Sequence, residues 1–284
     1  MWKIVLAIIL ALTLIIAVAL VYGHRRWHAA AKSAITKLEA ARMPVEVKTY
    51  NPEELSDLPA PVQRYFHTVL KDGQRIITAV RLKQAGTFNM GESADQWKSF
   101  VAEQHIVTRQ PGFIWDARIT MLPGISALVH DAYAAGEGML HASLFGLLTI
   151  ADLRGTHDIA AGEFMRFFAE AAWYPTALLP SQGVQWEAVD DSSARATLTH
   201  CDLTATMLFH FDKNGFIESM HAKARGRTVG KQVIPTPWEG RWSNYTRRDV
   251  MLIPQNGEVS WILSEGAKPY WRGHITDIRY QFAE

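Results

Sequence analysis

The pattern of apolar and polar positions changes period twice along this chain, and each change marks an element boundary. From Ile4 to Tyr22 the sequence reads IVLAIILALTLIIAVALVY, interrupted by Thr13 alone. At about 1.5 Å per residue this run spans about 28 Å as a helix, close to the ~30 Å hydrocarbon core of a bilayer. A cleavable signal peptide would have a shorter apolar region, about 7–15 residues, followed promptly by a small-residue cleavage site. Here the basic and aromatic residues His24, Arg25, Arg26 and Trp27 follow instead, as in an interfacial anchor, and Ala29 to Ala31 lie behind them. Residues 1–23 therefore read as an uncleaved transmembrane anchor.

Residues 24–44 are Ala-rich, carry Ala31, Ile35 and Leu38 at helical spacing, and stop at Pro44. They predict an amphipathic juxtamembrane stalk that holds whatever follows within about 30 Å of the bilayer. A loop runs from Pro44 to Pro61, and a short helix over 62–70 puts Val62, Tyr65, Phe66 and Val69 on one face. Beyond Gly73 the period drops to two. Phe113, Trp115, Ala117, Ile119 and Met121 alternate with polar or smaller neighbours, as do Leu203, Ala205, Met207, Phe209 and Phe211. Similar runs lie near 76–88, 97–109, 184–190, 193–200, 216–227, 239–249, 258–264 and 270–282, most of them bounded by Gly, Pro or Asn-Gly. Ala- and Leu-rich stretches at 125–133 and 139–148 read as helices, and 162–175 as a further helix ended by Pro175. The fold class expected is α+β: a transmembrane helix, then one domain over 45–284, mostly a curved antiparallel sheet with a few packed helices.

Composition narrows the function classes. Lys and Arg number 29 against 28 Asp and Glu, a net charge of +1, which offers no electrostatic footprint for nucleic acid. A single cysteine, Cys201, excludes an internal disulfide framework. Charges near the anchor favour a cytoplasmic domain, whereas the short amino-terminal tail favours export, so the side of the membrane stays open. The expected location is a bacterial inner membrane, crossed once through residues 4–22.

No G-x-S-x-G, phosphate-binding glycine loop, H-E-x-x-H or dinucleotide-binding glycine pattern is present. His200 and Cys201 are adjacent, so on a strand they would face opposite ways. No metal and no cofactor is expected. The most suggestive stretch is EFMRFFAEAAWYPTALLPSQGVQW, 163–186. On a helix, Glu163, Arg166 and Glu170 share a face, and burial would raise the Glu170 pKa unless Arg166 pairs with it. Glu170, with Arg166 or Arg118 as electrostatic partner, is the candidate catalytic set, and a pinning ion pair is the simpler reading. Asp116 and Arg118 read as a solvated strand face, as do Arg225 and Arg227. Trp115, Trp173, Tyr174, Trp238, Trp261 and Trp271 are candidate ligand-binding residues, because such rings supply large apolar area with one polar group to satisfy.

The segments RFFAEAAWYPTALLPSQGVQW, PGFIWDARI, IPTPWEGRWSNY and YWRGHIT, with WYPTALLPS the most specific part, resemble an uncharacterised bacterial family of membrane-associated domains of unknown function. The resemblance covers roughly residues 58–282 and implies no activity or catalytic residues. The strand pattern also invites comparison with half-barrels such as the bacterial lipoprotein-localisation carriers, an analogy of architecture alone. Three functions follow as expectations. The first is a membrane-anchored binding protein for a lipid or other apolar ligand. The others are a hydrolase or isomerase on an apolar substrate, and an envelope scaffold.

Overall fold

The computed structural model describes residues 1–91, 94–230 and 232–284. Helix α1 (Trp2–Ala40) runs unbroken through the apolar segment and the expected stalk. Its apolar half is almost wholly exposed, which fits a single-pass membrane or signal anchor. The second half is no free stalk. Gly23, Trp27, Ala31 and Leu38 form a buried stripe laid along the outer face of the sheet.

Thirteen strands among the described residues make one antiparallel sheet. They are β1 (Ile77–Asn89), β2 (Trp97–Val107), β3 (Gly112–Leu122), β4 (Ile125–Ala134), β5 (Glu137–Leu144), β6 (Leu148–Arg154) and β7 (Gln185–Asp190). Then follow β8 (Ser193–His200), β9 (Leu203–Phe211), β10 (Ile217–Val229), β11 (Gln232–Arg248), β12 (Met251–Leu263) and β13 (Gly266–Phe282). The order across the sheet is β6-β5-β4-β3-β2-β1-β13-β12-β11-β10-β9-β8-β7. First and last strands therefore pair in the middle, and the chain leaves at one edge, β6, to resume at the other, β7.

That edge-to-edge crossing is made on the concave face by α3 (His157–Ala169) and three 3-10 turns at Glu170–Trp173, Pro175–Leu178 and Pro180–Gln182. Thr156 caps α3 by accepting from the Ile159 N–H at 3.3 Å. Buried residues occupy more than one face of the helix because strands from both halves of the sheet enclose it: α3 packs on β4 and β5 and also on β9 and β10. Proline at 175 and 180 prevents the helix from continuing. The crossing is pinned where Thr176 Oγ1 accepts from the Ile77 N–H at 3.0 Å and the Tyr280 hydroxyl donates to the Trp173 carbonyl at 2.7 Å. A buried crossover, not a lid, is what WYPTALLP forms.

Helix α2 (Ala60–Val69) buries all four predicted positions, Val62, Tyr65, Phe66 and Val69, and fills one part of the concavity with Phe209, Phe211 and Phe168.

The helices expected at 125–133 and 139–148 are strands β4, β5 and the start of β6. Their period of two is blurred because both faces are covered where α1 crosses. On the outer side Leu38 packs with Ala79, Val107, Ile114 and Ala132, and the Trp27 ring stacks on His130 at 3.8 Å between centroids. Trp27 Nε1 donates to Asp116 Oδ1 at 3.0 Å, so neither Trp27 nor Asp116 faces lipid or open solvent as expected. Burial works against the Asp116 charge, but His130 and Trp27 outweigh it and hold the carboxyl below its usual range.

Candidate functional site

The remainder of the concave face is hollow. A cavity of about 550 Å³ lies between α3, the β3–β6 side and the β10–β13 side. Its walls are mainly apolar and include Trp115, Trp173, Trp238, Trp242, Trp261 and Trp271. Of the six rings expected to bind ligand, five line this space. Tyr174 does not; it is fully buried in the crossover and donates to the Phe167 carbonyl at 2.5 Å.

One wall carries a cluster of buried charges. Glu163 and Arg166 project from α3 one turn apart, with Glu170 one further turn along, as helical spacing requires. Arg166 Nε donates to Glu170 Oε1 at 2.8 Å, and its Nη1 to Asp131 Oδ2 of β4 at 2.5 Å. The guanidinium also lies over the rings of Phe113 and Trp115, 4.8 and 5.0 Å from their centroids. Gln104 Nε2 donates to Glu170 Oε2 at 2.6 Å. Both Glu170 oxygens are thus engaged, and the pairing with Arg166 anticipated from sequence is present.

Arg225 completes the cluster from β10. It sits 3.5 Å from Glu163, 3.2 Å from the Tyr270 hydroxyl, and over the Trp238 ring at 4.9 Å. Its burial corrects the expectation of a solvated strand face. Strict alternation would send Arg225 outward after Met220 and Ala222, but a bulge between Ala222 and Arg225 reverses the side-chain parity.

Electrostatics single out Glu163. Burial, then the charge of Asp131, push its pKa well above the ordinary carboxylate value, more than Arg225 and Arg166 lower it. Asp131 Oδ1 and Glu163 Oε2 are both buried without a hydrogen-bond partner. Burial opposes the charge of Arg166, but Glu170, Asp131 and Glu163 outweigh it and raise its pKa. Arg166 pairs with both Asp131 and Glu170, and Arg225 lies beside Glu163, so each buried carboxyl of this wall has a guanidinium next to it.

Arg118 does not join them. It is exposed on the outer face of β3, whereas Trp115 of the same strand faces Arg166. His200 and Cys201 also depart from the strand expectation. Cys201 lies in a turn with φ of 54°, leaving its sulfur 3.8 Å from the His200 ring. Among the described residues no group of three or more His, Cys, Asp and Glu is arranged to hold a metal. A separate polar groove of about 560 Å³ includes Gly86, Gly257 and Gly273 with outward-facing Glu258 and Arg272, which pair at 2.6 Å. Trp242 lines it too, but the rest of its lining is polar or glycine and it holds none of the buried charge cluster of the inner cavity.

A family model describing a family of unknown function, DUF6920, matches residues 56–280. The chain belongs to that family. The match spans the sheet but for the last two residues of β13, includes the buried crossover and leaves out α1. Among solved structures, the family member described here is similar to a LolA superfamily protein from Nitrosomonas europaea. The two are 10% identical with a TM-score of 0.42, over 78% of this chain and 92% of that one. The chain matches no curated relative.

Proposed function

We propose that this protein is a membrane-anchored binding protein of the cell envelope whose half-barrel holds a lipid or another apolar ligand. The observation that carries the reading is the 550 Å³ cavity itself, walled by indole rings, while α2 and its aromatic neighbours form a buried core elsewhere in the concavity. Its volume lies in the usual range for small-molecule sites, and a mostly apolar lining with a few fixed polar groups is their usual chemistry. The polar groups here, Arg166 and Arg225 with their carboxyls, would position a ligand's polar end while the indoles cover its apolar body.

The test is a fluorescence titration of the full chain in mild detergent with cis-parinaric acid, whose emission rises in apolar sites. Saturable binding is expected. Ala142→Phe, which puts a ring into the cavity from β5, should weaken it at least about tenfold, ~1.4 kcal/mol. Absence of saturable binding to the unmodified protein would sink the proposal.

One observation favours a second reading. Glu163 lines the cavity and has its pKa raised by burial and by Asp131, so a hydrolase or isomerase on an apolar substrate would use Glu163 in place of Glu170 as its acid. That reading requires turnover of an apolar ester or enone that Glu163→Gln abolishes while parinarate binding persists.

A further inference from the structure

The turn between β5 and β6 is anomalous. It reads Leu144-Phe145-Gly146-Leu147-Leu148-Thr149-Ile150, where a solvent-exposed hairpin turn would ordinarily be polar. Leu148 is 64% exposed and Ile150 55%. The same turn is where α1 meets the domain. A Cβ on Gly23 would fall 2.3 Å from the Phe145 carbonyl oxygen and 2.7 Å from Leu147, and one on Gly146 would fall 2.4 Å from the Gly23 carbonyl oxygen. Only glycine permits so close an approach.

Following α1 backwards fixes a direction. Arg42, just past its end, bonds Thr78 and Gln281, at the start of β1 and the end of β13. Leu38 packs on Gly112 at the start of β3, Trp27 crosses β3 to β5, and Gly23 reaches the β5–β6 turn. The apolar run begins one residue beyond that contact, at Tyr22, so no spacer separates it from the turn.

The cavity opens beside this place. Ile150, from the turn, lines the cavity, as do Met90 of the β1–β2 connection and Val229 at the end of β10, and these three are exposed as well. Leu148 to Ile150 forms part of β6, an edge strand that is apolar, exposed and unpaired on one side, an arrangement that sheets avoid unless something covers it.

We infer that this rim is seated on the phospholipid bilayer that α1 enters, so that the cavity mouth opens to the membrane and its ligand passes between bilayer and cavity along Leu148 and Ile150 without crossing water. The inference rests on the binding proposal above for its ligand, and on geometry alone for its docking surface. The bilayer is the occupant because the apolar half of α1 begins at the rim; a separate apolar protein would have to compete with lipid for the same place.

The test places a bimane label at Leu148→Cys, Met90→Cys or Val229→Cys, with Lys213→Cys in the β9–β10 turn as the distant control. All are made in the full chain carrying Cys201→Ser and reconstituted into phosphatidylcholine vesicles with brominated acyl chains. The rim labels should lose fluorescence to the bromolipid and the Lys213 label should not. Rim labels as unquenched as the control overturn the docking, and so do rim labels shielded from aqueous iodide yet unquenched by bromolipid, which would mean a protein covers the rim. Parinarate titration of the same variants in detergent separates the two claims. Binding with unquenched rim labels overturns the docking alone; quenched labels without binding overturn the cavity reading and uphold the docking.

Discussion

Two regions of one concave face are built from the same kinds of residue and end differently. Beside α2, the rings of Tyr65, Phe66, Phe168, Phe209, Phe211 and Trp186 pack against one another with centroids 5.2–6.3 Å apart. Along the other side of α3, an equal wealth of aromatic rings surrounds a void, and Arg166, Arg225, Asp131, Glu163 and Glu170 stand at its wall. The difference is not one of available hydrophobicity. A second helix like α2 would fill the hollow half, and apolar side chains in place of the charge cluster would cost nothing and could stabilise the fold. The hollow half forgoes packing that the filled half shows to be attainable, which is the pattern expected of a binding site held open by its scaffold.

Substitutions sharpen this contrast, beginning with the largest effect. Phe168→Ala in the filled region should cost about 3–5 kcal/mol, read by urea unfolding of the full chain in detergent, with parinarate affinity unchanged under folding conditions. Arg166→Ala should cost a similar ~3–5 kcal/mol, because it strands Asp131 and Glu170 in a buried wall; Arg166→Ala with Asp131→Ala and Glu170→Ala together should recover much of that loss. If all three single changes proved additive, the cluster would not be a unit. Trp261→Ala, half-buried at the cavity, should reverse the pattern: stability falls by only about 1 kcal/mol, while parinarate affinity falls about tenfold.

A pH dependence is expected as well. Glu163 binds its proton more tightly in the folded state than in the unfolded chain, where its value is near 4.5. The stability it contributes is therefore full below that value and is lost as pH rises through the folded pKa, with a slope of at most ~1.4 kcal/mol per pH unit. Glu163→Gln should flatten that slope in urea unfolding measured across the acidic and neutral range. A slope unchanged by the substitution would reassign the proton.

Sequence reading reached the strands that alternate because only one of their faces is buried, such as β9, and the helix whose apolar stripe has one partner, α2. It failed on β4 and β5 for a physical reason. Trp27, Leu38 and their neighbours on α1 cover the outer face there, so burial on both sides erased the alternation that distinguishes strand from helix. The site was half legible in the same way. Glu163, Arg166 and Glu170 were visible as a helical ladder, and five of the ring positions were visible as aromatics, four on strands and Trp173 at the end of the helical segment. Asp131 was hidden by the misreading of β4. Arg225 was hidden by a bulge, since no local signal distinguishes an arginine turned inward by one extra residue from one left in solvent. The hollow itself has no sequence signature, because a ring that lines a void and a ring that fills one read alike.

The claim that the hollow half is a ligand site can be tested most directly by native mass spectrometry of the full chain extracted in mild detergent. The expected spectrum contains a species heavier than the bare chain by one apolar molecule, and that species should be lost in Ala142→Phe. A bare chain mass for the unmodified protein under conditions that preserve detergent-resistant lipid adducts, together with no parinarate binding, would contradict it.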